Sequence, residues 1–221
     1  VALSSNQFGA LSSAQVSAFS TNDIAAIETA DIGALKSAVI AGLTSSQTKA
    51  LTTDQIVALS SSQIGALSSS QVAALSTEAV AAIETADIGA LKTAAIGAMT
   101  TAQTAALTTD QIGALSTAQV AAMTTANLGS GLSTDQIVAL SSNQLGALST
   151  GQFGALSTQD IAAIETADIV GLKTSIIASL KTAQLAALTT DQLSNLTTAQ
   201  VAAITTANVA ALTTDQVVAL S

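Results

Sequence analysis

A large apolar residue recurs every eight positions along this chain. The series of marked residues runs from Leu3 to Met123 and, after one extra residue, from Leu132 to Leu220, which gives 28 marks in 221 residues. The consensus reads Leu-[Ser/Thr]-[Ser/Thr]-x-[Gln/Asp]-[Ile/Val]-[Gly/Ala/Val]-Ala, so a second apolar residue follows most marks by five positions. Repetition at a fixed short period indicates a solenoid, in which each unit is stable only against its neighbours.

Neither a continuous strand nor a continuous helix satisfies this period. In a strand the two apolar positions of each octad would point to opposite faces, and the abundant Ala, Leu and Gln are poor strand formers. In a straight helix eight residues turn through roughly 800°, so an apolar stripe would drift by about 80° per repeat. The alternative is one short helix in each octad.

The octad that begins at Leu51 carries the signals of such a helix. Thr52 and Gln55 have the spacing of a capping box, in which each side chain bonds the backbone of the other residue. Asp54 lies in the first turn, where the helix dipole favours a carboxylate. Ile56 and Leu59 are three residues apart and share one face. The sequence therefore predicts an all-α solenoid of 28 octad units, with one helix of about seven residues in each.

One extra residue interrupts the period. Residues 129–131 read Gly-Ser-Gly, which predicts a loosened turn or a small bulge there. We expect an octad-repeat solenoid over residues 1–128, the slip at 129–131, and a second stretch of solenoid over 132–221. Together they form one continuous repeat domain, which we interpret as a segment of a longer protein.

Four octads have Lys where the capping hydroxyl is expected, at Lys36, Lys92, Lys173 and Lys181. Around Lys92 the apolar residues fall at Ile88, Leu91, Ile96 and Met99, with Ala95 between them. Those spacings predict a single longer helix that bridges two octads.

The composition excludes several classes of function. The chain has no His, Cys or Arg, and its formal net charge is −9. Thiolate and imidazole chemistry is therefore absent, and a surface that tracks nucleic-acid phosphates is not expected. No apolar run approaches the length of a membrane span. We predict that the chain is not an enzyme and has no nucleic-acid partner and no membrane span, and we name no catalytic, cofactor-binding or metal-binding residue and no cofactor.

Two weak chemical candidates remain. A Ser–Lys pair such as Lys36-Ser37 is the only candidate for a nucleophile and its base, and a solvated capping hydroxyl explains the serine better. Acidic pairs three residues apart could bind a hard cation, although a negatively charged first turn explains them better. These pairs are Glu28/Asp31, Glu84/Asp87 and Glu165/Asp168.

Strings such as Thr-Thr-Asp-Gln-Ile-Val-Ala-Leu resemble the repeats of very large bacterial surface or secreted proteins of the adhesin-like exoprotein type. The resemblance covers the whole chain and implies an extracellular or cell-surface stalk. Residues 132–140 also resemble the first helix of the DNA-reading repeats of transcription-activator-like effectors. The chain has neither the longer period nor the base-reading residue pair of that family.

These observations leave two classes of function. The first is a structural segment of a bacterial extracellular protein: a stalk, an adhesin spacer, or an element that self-assembles into a layer or filament. Its partner is then another copy of the chain, laterally or end to end, or a molecule of the cell surface. The second is a binding module, either a peptide-binding solenoid groove or an ice-binding ladder of hydroxyls such as Thr52-Thr53 and Thr108-Thr109.

Overall fold

The computed structural model describes residues 3–220. Regular structure in that range is entirely helical, with one helical element in each complete octad. The predicted all-α solenoid of short helices is therefore confirmed. The chain divides into two compact units, Val1–Leu115 and Ser116–Ser221.

The first unit contains fourteen α-helices of four to six residues. They are α1 Ser5–Ala10, α2 Ser13–Ser17, α3 Thr21–Ala25, α4 Thr29–Ala34, α5 Ser37–Ala41, α6 Ser45–Lys49, α7 Thr53–Val57, α8 Ser61–Ile64, α9 Ser69–Ala74, α10 Thr77–Ala81, α11 Thr85–Ile88, α12 Thr93–Gly97, α13 Thr101–Ala106 and α14 Thr109–Ala114.

The second unit contains eleven α-helices, one π-helical turn and one 3-10 helix. They are α15 Thr117–Ala122, the π-helical turn Asn127–Gly131, α16 Thr134–Val138, α17 Ser142–Ala147, α18 Thr150–Phe153, α19 Thr158–Ala163, the 3-10 helix Thr166–Gly171, α20 Thr174–Ser179, α21 Thr182–Ala186, α22 Thr190–Ser194, α23 Thr198–Ala202, α24 Thr206–Val209 and α25 Thr214–Ala219.

Extended residues between the helices set the helix length. Leu107 (φ −60°, ψ 141°) and Thr108 (φ −75°, ψ 160°) are both extended between α13 and α14. Two of the eight residues of an octad are thus unavailable to the helix, which limits it to six residues rather than the predicted seven. We name the first six positions of an octad the mark, the cap, N1, N2, N3 and N4. In the octad of α7 these are Leu51, Thr52, Thr53, Asp54, Gln55 and Ile56.

The predicted capping box is confirmed at α7. The Gln55 amide donates to Thr52 Oγ1 at 3.2 Å, and the Thr52 amide donates to Gln55 Oε1 at 2.9 Å. Both bonds satisfy backbone donors that the start of a helix leaves without an intrahelical partner. Because this capping needs only residues of the same octad, a helix that has a capping box is started locally.

The core is built from the mark and N4 positions. Ile56 is 1% exposed and the following mark, Leu59, is 3% exposed. In the first unit the helices α1 to α11 each pack on the third helix after them, as α1 does on α4 and α4 on α7. The same spacing occurs in the second unit, where α16 packs on α19. A coil of each solenoid therefore comprises three helices.

The longer helix predicted around Lys92 is wrong. Helix α11 ends at Ile88 and α12 begins at Thr93, and Lys92 is extended with φ −64° and ψ 146°. Leu91 and Ile96 are both buried in the core. An uninterrupted helix would rotate one of them away from the core. Burial of both side chains therefore favours two separate helices, even though Lys92 has no hydroxyl to cap the second one.

The extra residue of the slip is absorbed as a π-helical turn inside the second unit. The amide of Leu132 donates to the carbonyl of Asn127 at 2.9 Å, a bond across five residues instead of four. A Cβ at Gly129 would lie 2.6 Å from the carbonyl oxygen of Ala155, which only glycine avoids. The predicted local bulge is therefore a widened helical turn that touches the next coil.

Among the described residues no helix has the length and apolar character that crossing a membrane requires.

Candidate functional site

Glutamine at the N3 position of a helix forms a bridge to the preceding coil. Gln55 Nε2 donates to the carbonyl oxygen of Ile24 at 2.8 Å and to that of Ile27 at 2.7 Å. Those carbonyls belong to the last turn of α3 and to the mark that follows it. The same side chain accepts the Thr52 amide through Oε1. Gln55 thus caps the start of its own helix and the end of a helix in the preceding coil.

The same bridge recurs along both units. In every case the carboxamide nitrogen donates to backbone carbonyls 28 to 31 residues earlier. We call this set the glutamine bridges. Those described with both capping and bridging bonds are Gln47, Gln55, Gln63, Gln71, Gln103, Gln111, Gln152, Gln184, Gln192, Gln200 and Gln216.

Burial explains why this position is polar in an otherwise apolar interior. Gln55 is buried, and a buried carboxamide is costly unless its hydrogen bonds are made. The end of a short helix leaves carbonyls without intrahelical donors. The glutamine bridge satisfies both groups together, so the polar side chain specifies how one coil stacks on the next.

Aspartate at N3 selects a different partner. The hydroxyl of Ser5 donates to Asp31 Oδ1 at 2.7 Å, and that of Thr134 donates to Asp160 Oδ1 at 3.0 Å. The hydroxyl of Ser61 likewise bonds Asp87. In each case the donor is the N1 residue 26 positions earlier. A carboxylate has no N–H to offer a carbonyl, so it turns to a hydroxyl at the start of the helix beneath it.

Asparagine at N3 makes both kinds of contact. Asn208 Nδ2 donates to the carbonyl oxygen of Leu180 at 2.8 Å, and Asn208 Oδ1 accepts the hydroxyl of Thr182 at 3.0 Å. The N3 side chain therefore decides whether a coil is bonded to the helix end beneath it, to the helix start, or to both.

The lysine octads mostly replace this polar contact by an apolar one. After Lys36, Lys92 and Lys173, the N3 residues are Val39, Ala95 and Ile176, all buried. Lys181 is different, because Gln184 follows it and Lys181 Nζ itself donates to the carbonyl oxygen of Gly154 at 2.7 Å.

The hydroxyl-bearing side chains of the cap and N1 positions lie largely at the surface. Thr52 and Thr53 are exposed, as are Thr108 and Thr109. The cap hydroxyl of Thr52 is engaged by the Gln55 amide. An N3 carboxylate or carboxamide can accept the N1 hydroxyl of the preceding coil, as Asp87 accepts that of Ser61, whereas Ala79 stands at that position above Thr53 and has no side-chain acceptor. Thr53 therefore presents its hydroxyl to solvent.

The acidic pairs are separated by burial. Glu28 is exposed, whereas Asp31 is buried and bonded to Ser5. Glu84 and Asp87 differ in the same way. At the third pair the amide of Ser142 donates to Asp168 Oδ1 at 2.8 Å. Across the described residues no group of three or more acidic, His or Cys side chains is placed to hold a metal ion. The aspartate of each pair therefore bonds the preceding coil, a contact that the sequence did not reveal.

The sequence predicts the capping bond of the N3 glutamine but not its bonds to the carbonyl groups of the preceding coil. The available signal was that Gln recurs at N3 far more often than capping requires, since Glu or Asp caps equally well. An uncharged donor is needed only if the same side chain also meets carbonyl groups.

Comparison with known proteins identifies the repeat family of this chain. A family model described as the ALTTAQ repeat matches residues 24–61, 55–77, 80–117, 112–141, 130–158, 161–198 and 193–221. Among solved structures, the leucine-rich repeat-containing protein LegL7 from Legionella pneumophila is similar at 10% identity and a TM-score of 0.20, over 84% of this chain and 79% of that one. No curated protein matches the chain. Because the repeat matches cover most of the sequence, this chain belongs to the ALTTAQ repeat family.

Proposed function

We propose that the chain is a non-enzymatic structural repeat segment, a stalk or spacer, of a bacterial surface or secreted protein. The observation that carries the proposal is the recurrence of the glutamine bridges from coil to coil. Side chains that are repeated in this way hold backbone to backbone, and they do not converge on one place where a substrate would bind.

A spacer has to add length without adding chemistry. Each added coil brings three apolar pairs and its own N3 contacts to the preceding coil, so stability grows with the number of neighbouring coils. The acidic surface and the absence of Cys are compatible with an extracellular location of a bacterial protein. The resemblance to adhesin-like exoproteins gives the same location.

Labelling of intact cells tests the location. Antibodies raised against the chain should bind unpermeabilised cells of the bacterium that encodes it, or its culture medium. A cytoplasmic protein of the same bacterium serves as the control for lysis. Labelling that appears only after permeabilisation would overturn the extracellular assignment.

Stretching a single molecule tests the spacer role. Pulled from both ends, the chain should lengthen in steps of about one coil, or roughly 80–86 Å of extended chain for the three octads that a coil comprises. Such steps are expected because each bridge joins one coil only to the coil before it. A single all-or-none extension would contradict this additive design.

The exposed hydroxyls of Thr53 and Thr109 favour a second candidate, an ice-binding surface. Their regular recurrence at N1 presents hydroxyl and methyl groups together. An ice-binding chain should show thermal hysteresis when it is measured at high protein concentration. Absence of any hysteresis would remove the candidate and leave the spacer proposal intact.

A further inference from the structure

One complete coil in the middle of the first unit has no glutamine at N3. Helices α10, α11 and α12 follow one another, and their N3 residues are Ala79, Asp87 and Ala95. The octads immediately before and after this coil have Gln71 and Gln103 at N3, and both form glutamine bridges. Because three helices make a coil, α10–α12 meet the preceding coil, α7–α9, without a glutamine bridge.

The marks of the preceding coil therefore lack the donors that other marks have. Gln71 Nε2 donates to the carbonyl oxygen of Leu43 at 2.9 Å, and Gln103 Nε2 donates to that of Leu75 at 2.8 Å. Between them lie three buried marks whose carbonyl oxygens accept no hydrogen bond within residues 3–220: Leu51, Leu59 and Leu67. Each missing donor weakens the contact between the two coils.

Apolar packing at N3 does not replace the missing bonds. Val39 and Ile176, which stand at N3 in two other octads, are branched side chains that fill the position. Ala79 and Ala95 offer only a methyl group there. Asp87 accepts a hydrogen bond from Ser61 but has no donor for the carbonyl of Leu59. We give the name seam to the following set: Leu51, Leu59 and Leu67 with the facing Ala79, Asp87 and Ala95.

We infer that the first unit opens at the seam before it opens elsewhere, with α10–α12 separating from α7–α9. Coils of a solenoid are held by contacts with their neighbours, so the weakest contact decides where the structure opens. Short helices are unstable without packing, so separation exposes the backbone of α10–α12. In a stalk the seam is a yield point that lengthens the molecule under load, a use that rests on the proposed function.

Three lysines at the same octad position can report on this opening. Lys36, Lys92 and Lys173 are exposed, and their backbones are nearly identical, with φ of −65°, −64° and −66° and ψ of 146° in each. Trypsin cleaves after lysine, and this chain has no Arg. Lys92 lies in the coil that follows the seam. Glutamine bridges join the coils of the other two lysines to the coils before them, through Gln47 and Gln184.

Trypsin digestion of the folded full-length chain measures the opening at each lysine. The rate at each bond is divided by the rate at the same bond in the urea-unfolded chain, so that only the population of the open form remains. Cleavage after Lys92 should be about tenfold faster or more than cleavage after Lys36 or Lys173, because the bridges are missing at the seam. Equal normalised rates at the three lysines would overturn the inference.

Two substitutions supply donors to the seam. Ala79→Gln places a carboxamide 28 residues after Leu51, the separation of a glutamine bridge, and Ser76 Oγ already caps the amide of residue 79 at 3.1 Å. Asp87→Asn supplies a donor for the carbonyl of Leu59. Each substitution should slow normalised cleavage after Lys92 about three- to tenfold.

The matched control is Ala86→Gln, which adds the same side chain at an exposed N2 position of α11. It should change cleavage after Lys92 by less than about twofold. Cleavage after Lys36 should respond less than cleavage after Lys92 in all three variants. If the control protects as well as the two seam variants, or if neither seam variant protects, the seam is not where the unit opens.

Circular dichroism verifies that each variant is folded. If Ala79→Gln does not fold, Asp87→Asn still decides, because it leaves the size of the side chain unchanged. Under load, either seam variant should raise the force of the first extension step, and an unchanged first step would overturn the role as a yield point. Cell labelling is independent of these measurements, so the location can fail while the seam stands, and a failed seam leaves the spacer proposal intact.

Discussion

Gln55 Nε2 lies 2.7 Å from the carbonyl oxygen of Ile27, a residue 28 positions earlier in the chain. This bond closes one coil of the solenoid on the next. The same side chain accepts the amide of Thr52 through Oε1 and so caps the start of its own helix. One side chain therefore couples local helix formation to the stacking of coils, and loss of either function should be separable by mutation.

Gln55→Ala should lower the free energy of unfolding by about 2–4 kcal/mol, because it removes a capping acceptor and leaves two buried carbonyls without donors. Gln55→Glu keeps the cap and loses the bridge, so a buried carboxylate faces the carbonyls of Ile24 and Ile27. Burial raises the pKa of such a carboxyl in the folded state, so the Glu variant should recover stability as the pH falls. Urea unfolding followed by circular dichroism measures both effects.

The matched control for Gln55 is Gln159→Ala, an exposed N2 residue, which should change stability by less than about 0.5 kcal/mol. Equal losses at the two positions would show that the bridge contributes nothing. A Glu variant that loses further stability on acidification would contradict its assigned burial.

Thr52→Ala and Thr53→Ala should differ although the two residues are adjacent and both exposed. Thr52 Oγ1 accepts the Gln55 amide, so its loss should cost about 0.5–2 kcal/mol. Thr53 stands at N1, and its loss should cost only a few tenths of a kcal/mol. Hydrogen exchange of the Gln55 amide should accelerate in the first variant alone, and similar acceleration in both would refute the position of the cap.

Asp87 offers a gain-of-stability prediction. Asp87→Asn keeps an acceptor for the hydroxyl of Ser61 and adds a donor aimed at the carbonyl of Leu59, as Asn208 does with Thr182 and Leu180. The variant should gain about 0.5–1.5 kcal/mol. Asp87→Ala should lose about 1–3 kcal/mol.

A double-mutant cycle with Ser61→Ala isolates the Asp87 contact, and the serine substitution should cost much less once Asp87 is already Ala. Urea midpoints of the four chains provide the data. Strict additivity, or a destabilised Asn variant, would show that the hydroxyl contact is not what holds this N3 position.

Asp23 should make the first unit sensitive to acid. The hydroxyl of Ser20 at 2.7 Å and its amide at 2.9 Å hold the pKa of the Asp23 carboxyl below its ordinary value of 3.8. A carboxyl whose folded-state pKa is lowered contributes stability above its unfolded-state pKa and loses that contribution as the pH falls through the folded-state value.

Asp23→Asn should therefore flatten the decline of the urea midpoint between about pH 5 and about pH 2, relative to the wild-type chain. Because other carboxylates titrate in the same range, the difference between the two curves is the informative quantity. Parallel curves would indicate that the Ser20 contact does not persist in solution.

Two glycines of the second unit should respond oppositely to alanine. A Cβ on Gly146 would lie 2.5 Å from the carbonyl oxygen of Gly171, whereas a Cβ on Gly151 meets nothing within 4 Å. Gly146→Ala should cost about 1–3 kcal/mol through overpacking. Gly151→Ala, in α18, should gain about 0.4–1 kcal/mol by restricting the unfolded chain. Thermal unfolding compares them, and stabilisation by both would mean that the coils are not in close contact at Gly146.

Most of the local structure could be predicted from the residues of a single octad. Thr52, Gln55, Ile56 and Leu59 lie within eight positions, so capping and apolar spacing specify where α7 begins and which side it buries. The helix around Lys92 was mispredicted for the same reason, since no residue of its own octad supplies a cap. Only packing of Leu91 and Ile96 against other coils keeps Lys92 extended.

The period of eight, the cap and the apolar face are properties of neighbours in sequence, and they determined by themselves that this chain forms short helices. Three helices in a coil, and a Gln55 that reaches Ile24 and Ile27, depend on groups 28 and 31 residues apart. Nothing in an octad encodes that separation. It is decided in the tertiary structure, where the ends of short helices leave buried carbonyls that must find a donor, and the nearest uncharged donor belongs to the coil stacked on them.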